Sequence, residues 1–159
     1  MSNVSKNLSG IALQVIVSLL VLLFVYAASS KLLDFTQFRV ELGKSPLITA
    51  FAGFVALTVP GIEIGIALLL AFPRFRLLGL YASFSLMALF TAYIFYILRF
   101  SPYVPCSCGG VLQHMNWQTH LLFNVVFLVL SALGVLMNPS GPGAVFTPWE
   151  ANKACKLSP

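Results

Sequence analysis

Residues 49–72 read TAFAGFVALTVPGIEIGIALLLAF, a stretch with one ionisable side chain, Glu63, and one proline, Pro60. About 20 apolar residues in a helix cross the hydrocarbon core of a bilayer. Backbone groups in lipid must find their hydrogen bonds within the segment, which a helix provides. The stretch therefore reads as a membrane-spanning helix. Working outward, three further runs qualify, at residues 11–29, 77–98 and 119–137. The expected fold is an all-α membrane protein, a four-transmembrane-helix bundle over residues 1–138 with a Pro/Gly-containing tail at 139–159. The first run ends in small residues, Ala27-Ala28-Ser29, which invites a signal-peptide reading. Its apolar length exceeds the roughly 7–15 residues of a signal core, so a retained helix is expected.

Composition agrees. The 159 residues are 59% hydrophobic and 8% charged, against about 25% charged in a soluble domain. The formal charge of +5 comes from basic residues scattered at the ends of apolar runs. With no dense basic run, nucleic-acid binding has no support, and the charges suit topology and contact with the lipid bilayer. Four spans leave both termini on one side, with Lys6, Arg74, Arg76, Lys153 and Lys156. Lys31, Arg39, Lys44 and Arg99 fall on the other. The excess favours cytoplasmic termini, hence a multi-pass protein of the bacterial inner (cytoplasmic) membrane. A cysteine pair that cycles through a disulfide belongs outside the reducing cytosol, which puts the Cys106/Cys108 loop on the periplasmic face.

Between the first two spans, Asp34 followed by Gln37 fits a capping box, and Gly43 with Pro46 supplies a stop. Phe35, Phe38 and Leu42 share one helical face, with Gln37 and Glu41 elsewhere on the wheel. That pattern predicts a short interfacial helix. Polar and small residues also form stripes along the spans: Gln14, Ser18 and Ser29; Tyr81, Ser85, Ala88, Ala92 and Tyr96; His120, Asn124 and Ser131. Such stripes suit the close interior contacts and interhelical hydrogen bonds of a packed bundle.

Chemistry points first to Pro105-Cys106-Ser107-Cys108-Gly109-Gly110. A disulfide between Cys106 and Cys108 closes a small strained ring, and strain makes a disulfide labile and oxidising. Gly109 and Gly110 give the turn backbone freedom. A static loop staple and two idle thiols are the bland readings. A zinc site from Cys106, Cys108, His114 and His120 has the right ligand types, but the spacing fits no common zinc pattern. Either histidine is able to steady a thiolate or carry a proton near neutral pH. A solvated loop residue is the simpler reading of His114, and an interfacial hydrogen-bond partner that of His120. Trp117 is an interface anchor. Glu63 sits about 21 Å along its helix from Thr49, where an ionisable group is a functional candidate by default. It is expected to be protonated, bonded to a neighbouring helix, or paired with a base such as Arg74 or Arg76. A polar clamp and a proton-handling site are both open. Cys155 lies in the tail as an incidental thiol or, were that tail external, a resolving one.

Ala28-Ser29-Ser30-Lys31-Leu32-Leu33-Asp34, Pro60-Gly61-Ile62-Glu63 and Cys106-Ser107-Cys108-Gly109 together resemble the MauE/DoxX-like membrane proteins, over nearly the whole chain to about Asn138. The Cys-x-Cys before the fourth span is most similar to the MauE branch, associated with methylamine utilisation. Its Pro-Cys-Ser-Cys-Gly-Gly-Val-Leu form is similar to versions in Bacteroidota. The resemblance implies a bundle similar to that of vitamin K epoxide reductase and a role in handling disulfides. It implies Lys31 and Asp34 as supporting residues, Glu63 as the acidic position of the second span and Cys106 with Cys108 as the redox pair. It also implies a periplasmic thioredoxin-like or disulfide-containing partner, with a quinone as the possible cofactor. The sequence departs from a full quinone-linked relay in having no second external cysteine pair. The expected function is thiol–disulfide exchange through Cys106 and Cys108, with Cys106 as the attacked sulfur and His120 beside them. The alternative is a non-catalytic subunit anchoring a larger envelope complex. A transporter is disfavoured because the spans show no inverted repeat.

Overall fold

The computed structural model describes residues 2–44, 49–100 and 117–138. Within them the chain forms five α-helices, two 3-10 turns and no strand. Helix α1 runs Ser2–Leu33, α2 Phe35–Lys44, α3 Ala52–Ala71, α4 Arg76–Phe100 and α5 Trp117–Met137, with the turns at Thr49–Phe51 and Pro73–Phe75. Four segments are long and apolar enough to cross a membrane: Ser9–Leu33, Ala52–Ala71, Pro73–Phe100 and Gln118–Met137. The two shortest, at 20 residues each, extend about 30 Å, the thickness of a hydrocarbon core. The tail at 139–159 lies outside the described residues.

Helix α1 continues beyond the expected end at residue 29 because residues 30–33 contain no Gly or Pro to stop it. Asp34 marks only a turn between α1 and α2. Its N–H donates to Ser30 O at 3.3 Å, and its carbonyl accepts from Phe38 N–H at 2.9 Å. These are helical i to i−4 bonds, so α2 follows α1 with little interruption. The capping box is not formed as expected. Gln37 instead points forward, donating from Nε2 to Glu41 Oε1 at 3.1 Å.

The spans pack in a ring, α1 on α3, α3 on α4, α4 on α5 and α5 on α1, with α2 against the start of α3. Two glycines allow the tight contacts at one end. A Cβ on Gly79 of α4 would lie 2.9 Å from the Leu70 backbone nitrogen of α3. One on Gly134 of α5 would lie 2.8 Å from Leu80 Cδ2 and 3.4 Å from Ile16 Cγ2. The early part of α1 and of α4 thus meets the late part of α5, as up-and-down topology requires.

The main core joins Leu13, Ile16, Val17, Leu20 and Phe24 of α1 to Ile66, Ala67 and Leu70 of α3 and to Leu80 and Met87 of α4. The α1 spacing is that of one helical face. A second cluster, Phe38, Leu42, Ala52 and Ala56, fastens α2 to α3. The opposite faces are apolar as well: Ile11, Leu22, Phe54, Leu57, Leu89, Phe95, Leu122 and Leu136 are all exposed. An apolar exterior around an apolar core suits lipid as the surrounding solvent.

The polar stripes divide. On α5, Asn124 and Ser131 are buried and His120 half-buried, as an interior stripe requires. On α1, Gln14, Ser18 and Ser29 are exposed; on α4, so are Tyr81, Ser85, Ala92 and Tyr96. Those two stripes face away from the bundle, because the large residues Leu20, Phe24, Leu80 and Met87 take the interior. Three buried side chains, Ser83, Ser131 and Asn124, bond to their own helices. Ser83 Oγ donates to Gly79 O at 2.7 Å, Ser131 Oγ to Leu128 O at 2.8 Å and Asn124 Nδ2 to His120 O at 3.2 Å. A buried polar side chain in a span is cheapest when its own backbone satisfies it.

Candidate functional site

Each of α1 and α3 carries one formal charge in its span, Lys31 and Glu63. The fold brings them together: Lys31 Nζ lies 2.8 Å from Glu63 Oε1, and the Glu63 side chain is 1% exposed. The ammonium also donates to Ala27 O at 3.3 Å and stands 6.0 Å from the centre of the Phe38 ring. One cation therefore touches α1, α2 and α3. Arg74 and Arg76, the bases suggested by sequence, are not the partners. They begin eleven residues or more beyond Glu63 in the chain, about 16 Å further along the helical rise, at the opposite end of the bundle.

The pair's physics is that of any buried ion pair. Removing two charges from water costs several kcal/mol each, and the attraction between them offsets this only when they are paired and bonded. Here the satisfaction is incomplete. Glu63 Oε2 and, nearby in sequence to Lys31, Ser30 Oγ are buried with no hydrogen-bond partner among the described residues. His120, near the start of α5, is half-buried and within electrostatic reach of Lys31. Three of the four spans thus contribute polar groups to one region, from the middle of α3 towards the α2 end of the bundle. Pro60, one turn before Glu63, is fully buried and lies inside a continuous α3.

Among the supporting residues, Lys31 joins Glu63, whereas Asp34 is exposed at the α1–α2 junction. Cys106, Cys108, Gly109, Gly110, His114 and Cys155 lie outside the described residues. A second acidic side chain is buried although it lies off the apolar face of α2. Glu41 of α2 is buried, at 3% exposure, where its Oε1 accepts from Lys44 Nζ at 2.7 Å and from Gln37 Nε2 at 3.1 Å. The pairing of Lys31 with Glu63 did have a sequence signal. A lone cation and a lone anion in consecutive apolar spans have few other ways to be neutralised.

A four-helix, multi-pass membrane protein with a charge pair buried between its first two spans is the class this architecture defines. The family model described as Methylamine utilisation protein MauE matches residues 9–137, which contain all four spans. The chain belongs to the MauE family. No curated protein and no solved structure gives a significant match.

Proposed function

We propose that this protein is a bacterial inner-membrane component of disulfide handling associated with methylamine utilisation, acting through Cys106 and Cys108. The observation that carries the reading is where the buried polar groups lie. Residues 101–116 connect the end of α4 to the start of α5, and the start of α5 holds the half-buried His120, which feels the charge of Lys31, the cation bonded to Glu63. In sequence, the cysteine segment leads directly into the helix that carries His120. Family membership supports the link to methylamine utilisation.

In the proposed exchange, a partner thiolate attacks Cys106 Sγ of the Cys106–Cys108 disulfide. The bond between the two sulfurs breaks and Cys108 leaves as a thiolate. The partner's second thiolate then attacks its own sulfur in the mixed disulfide and releases Cys106. Two electrons pass from partner to pair: the partner dithiol is oxidised to a disulfide and Cys106 with Cys108 is reduced. His120 is the assigned proton carrier, taking protons from partner thiols and returning them to the new thiolates. The partner is a periplasmic protein with a thioredoxin-like or other dithiol site.

The test is substitution of Cys106 and Cys108 by Ser, singly and together, with the disulfide state of envelope proteins followed by alkylation and gel shift. Accumulation of reduced partner in both single variants, at unchanged level of this protein, is the expected result. Unchanged partner maturation together with a lower level of this protein would favour the anchoring-subunit reading.

A further inference from the structure

At the bundle end opposite Lys31 and Glu63, α1, the end of α3 and the start of α4 frame an open groove of about 460 Å³. That volume falls within the roughly 300–1,000 Å³ of small-molecule sites. Val17, Val21, Leu22, Val25 and Leu70 make its apolar walls, and Gln14, Ser18 and Arg76 give it one polar end. Among the described residues these three polar side chains make no hydrogen bond or ion pair. Arg76 Nε is buried with no partner. No carboxylate lines the groove.

Such donors are costly to leave unsatisfied at membrane depth. Gln14 lies five residues inside the start of the first span at Ser9, about 8 Å along the helix. That is the outer third of the span, away from its midpoint. From Val17 to Val25 the apolar wall continues for about 12 Å towards the membrane centre. The groove therefore presents Arg76 and Gln14 towards the end of the span, with Ser18 beside the start of an apolar slot.

The geometry points to a bound anionic phospholipid, its phosphate on Arg76, its glycerol-ester region against Gln14 and Ser18, and one acyl chain along Val17, Val21 and Val25. Charge complementarity selects this occupant. A second copy of the chain related by two-fold symmetry would bring another Arg76 to the same place, and a bare acyl chain leaves every donor unpaired. A guanidinium also matches a phosphate in two parallel hydrogen bonds.

The experiment is native mass spectrometry of the full chain in detergent, with phosphatidylglycerol or phosphatidylcholine added. One retained phosphatidylglycerol per chain is expected, in preference to phosphatidylcholine, whose choline cation offsets its phosphate and meets Arg76 with like charge. Arg76→Gln should reduce that retention about tenfold. Val21→Trp, which fills the slot without touching charge, should reduce it comparably and keeps the test open should Arg76→Gln fail to fold. Arg74→Gln, at an exposed neighbour outside the groove, should leave it unchanged. Equal retention of both lipids, equal loss with Arg74→Gln, or a lipid-free dimer would overturn the assignment. Displacement by soluble glycerol phosphate would also overturn it, by showing an anion site that needs no acyl chain.

Discussion

The two ends of this bundle treat polar side chains in opposite ways. At the α2 end, Lys31 and Glu63 neutralise each other between helices, 2.8 Å apart and shielded by Phe38. At the other end, Gln14, Ser18 and Arg76 face a groove open to the side, with no partner among the described residues. The first end is closed by protein; the second is completed by whatever the bilayer offers. The contrast teaches that burial within a membrane protein has two meanings, away from water and away from lipid, and that only groups hidden from both must be matched internally.

The sharpest attack on the closed end is Lys31→Met, which strands a buried carboxyl. A loss of about 3–5 kcal/mol is expected, as for other buried pairs that lose one partner, read from unfolding in mixed SDS micelles by circular dichroism. Adding Glu63→Leu should restore most of it. A single variant as stable as the parent would show that Glu63 does not depend on Lys31. Next in size, Gly79→Ala places a methyl group 2.9 Å from the Leu70 backbone. That rigid clash should cost roughly 1–3 kcal/mol and lower the midpoint in the same assay.

Gly134→Ala should cost under about 1 kcal/mol, because its near neighbour is the tip of the Leu80 side chain, which turns aside more easily than backbone. Comparing the two glycine variants separates hard from soft packing at the open end. Smallest of all, Gln14→Ala in lipid-free detergent should change stability by under about 0.5 kcal/mol, as expected for an outward side chain without partners. A larger loss would mean that the groove is held closed by protein contacts, and the comparison between the ends would fail.

Much of this was legible in the sequence for a simple reason: lipid permits few backbone solutions. The apolar runs located all four spans, and Gly43 with Phe35, Phe38 and Leu42 located the short helix. Rotation about each helix axis was harder to read. When both faces of a span are apolar, hydropathy does not tell interior from exterior. The stripe on α5 was assigned inward correctly, whereas the stripes on α1 and α4 turned outward. Glu41 shows the same limit at a smaller scale. It lies off the apolar face of the wheel, yet Lys44 and Gln37 bond it in a buried place. Lys31 and Glu63 were each singled out from the sequence, but the lone-charge signal that pairs them was passed over for Arg74 and Arg76, because α1 was expected to end at residue 29, short of Lys31.

Gly134 carries a consequence for how relatives of this protein vary. The space above its Cα is bounded by side chains from two other helices, Leu80 and Ile16, so its occupancy is the common property of three positions distant in sequence. A relative with a residue larger than alanine at 134 should carry a smaller residue at 80, and the exchange should be visible as covariation wherever enough family sequences are aligned. Independent variation at 80 and 134 would place the helices differently in those relatives.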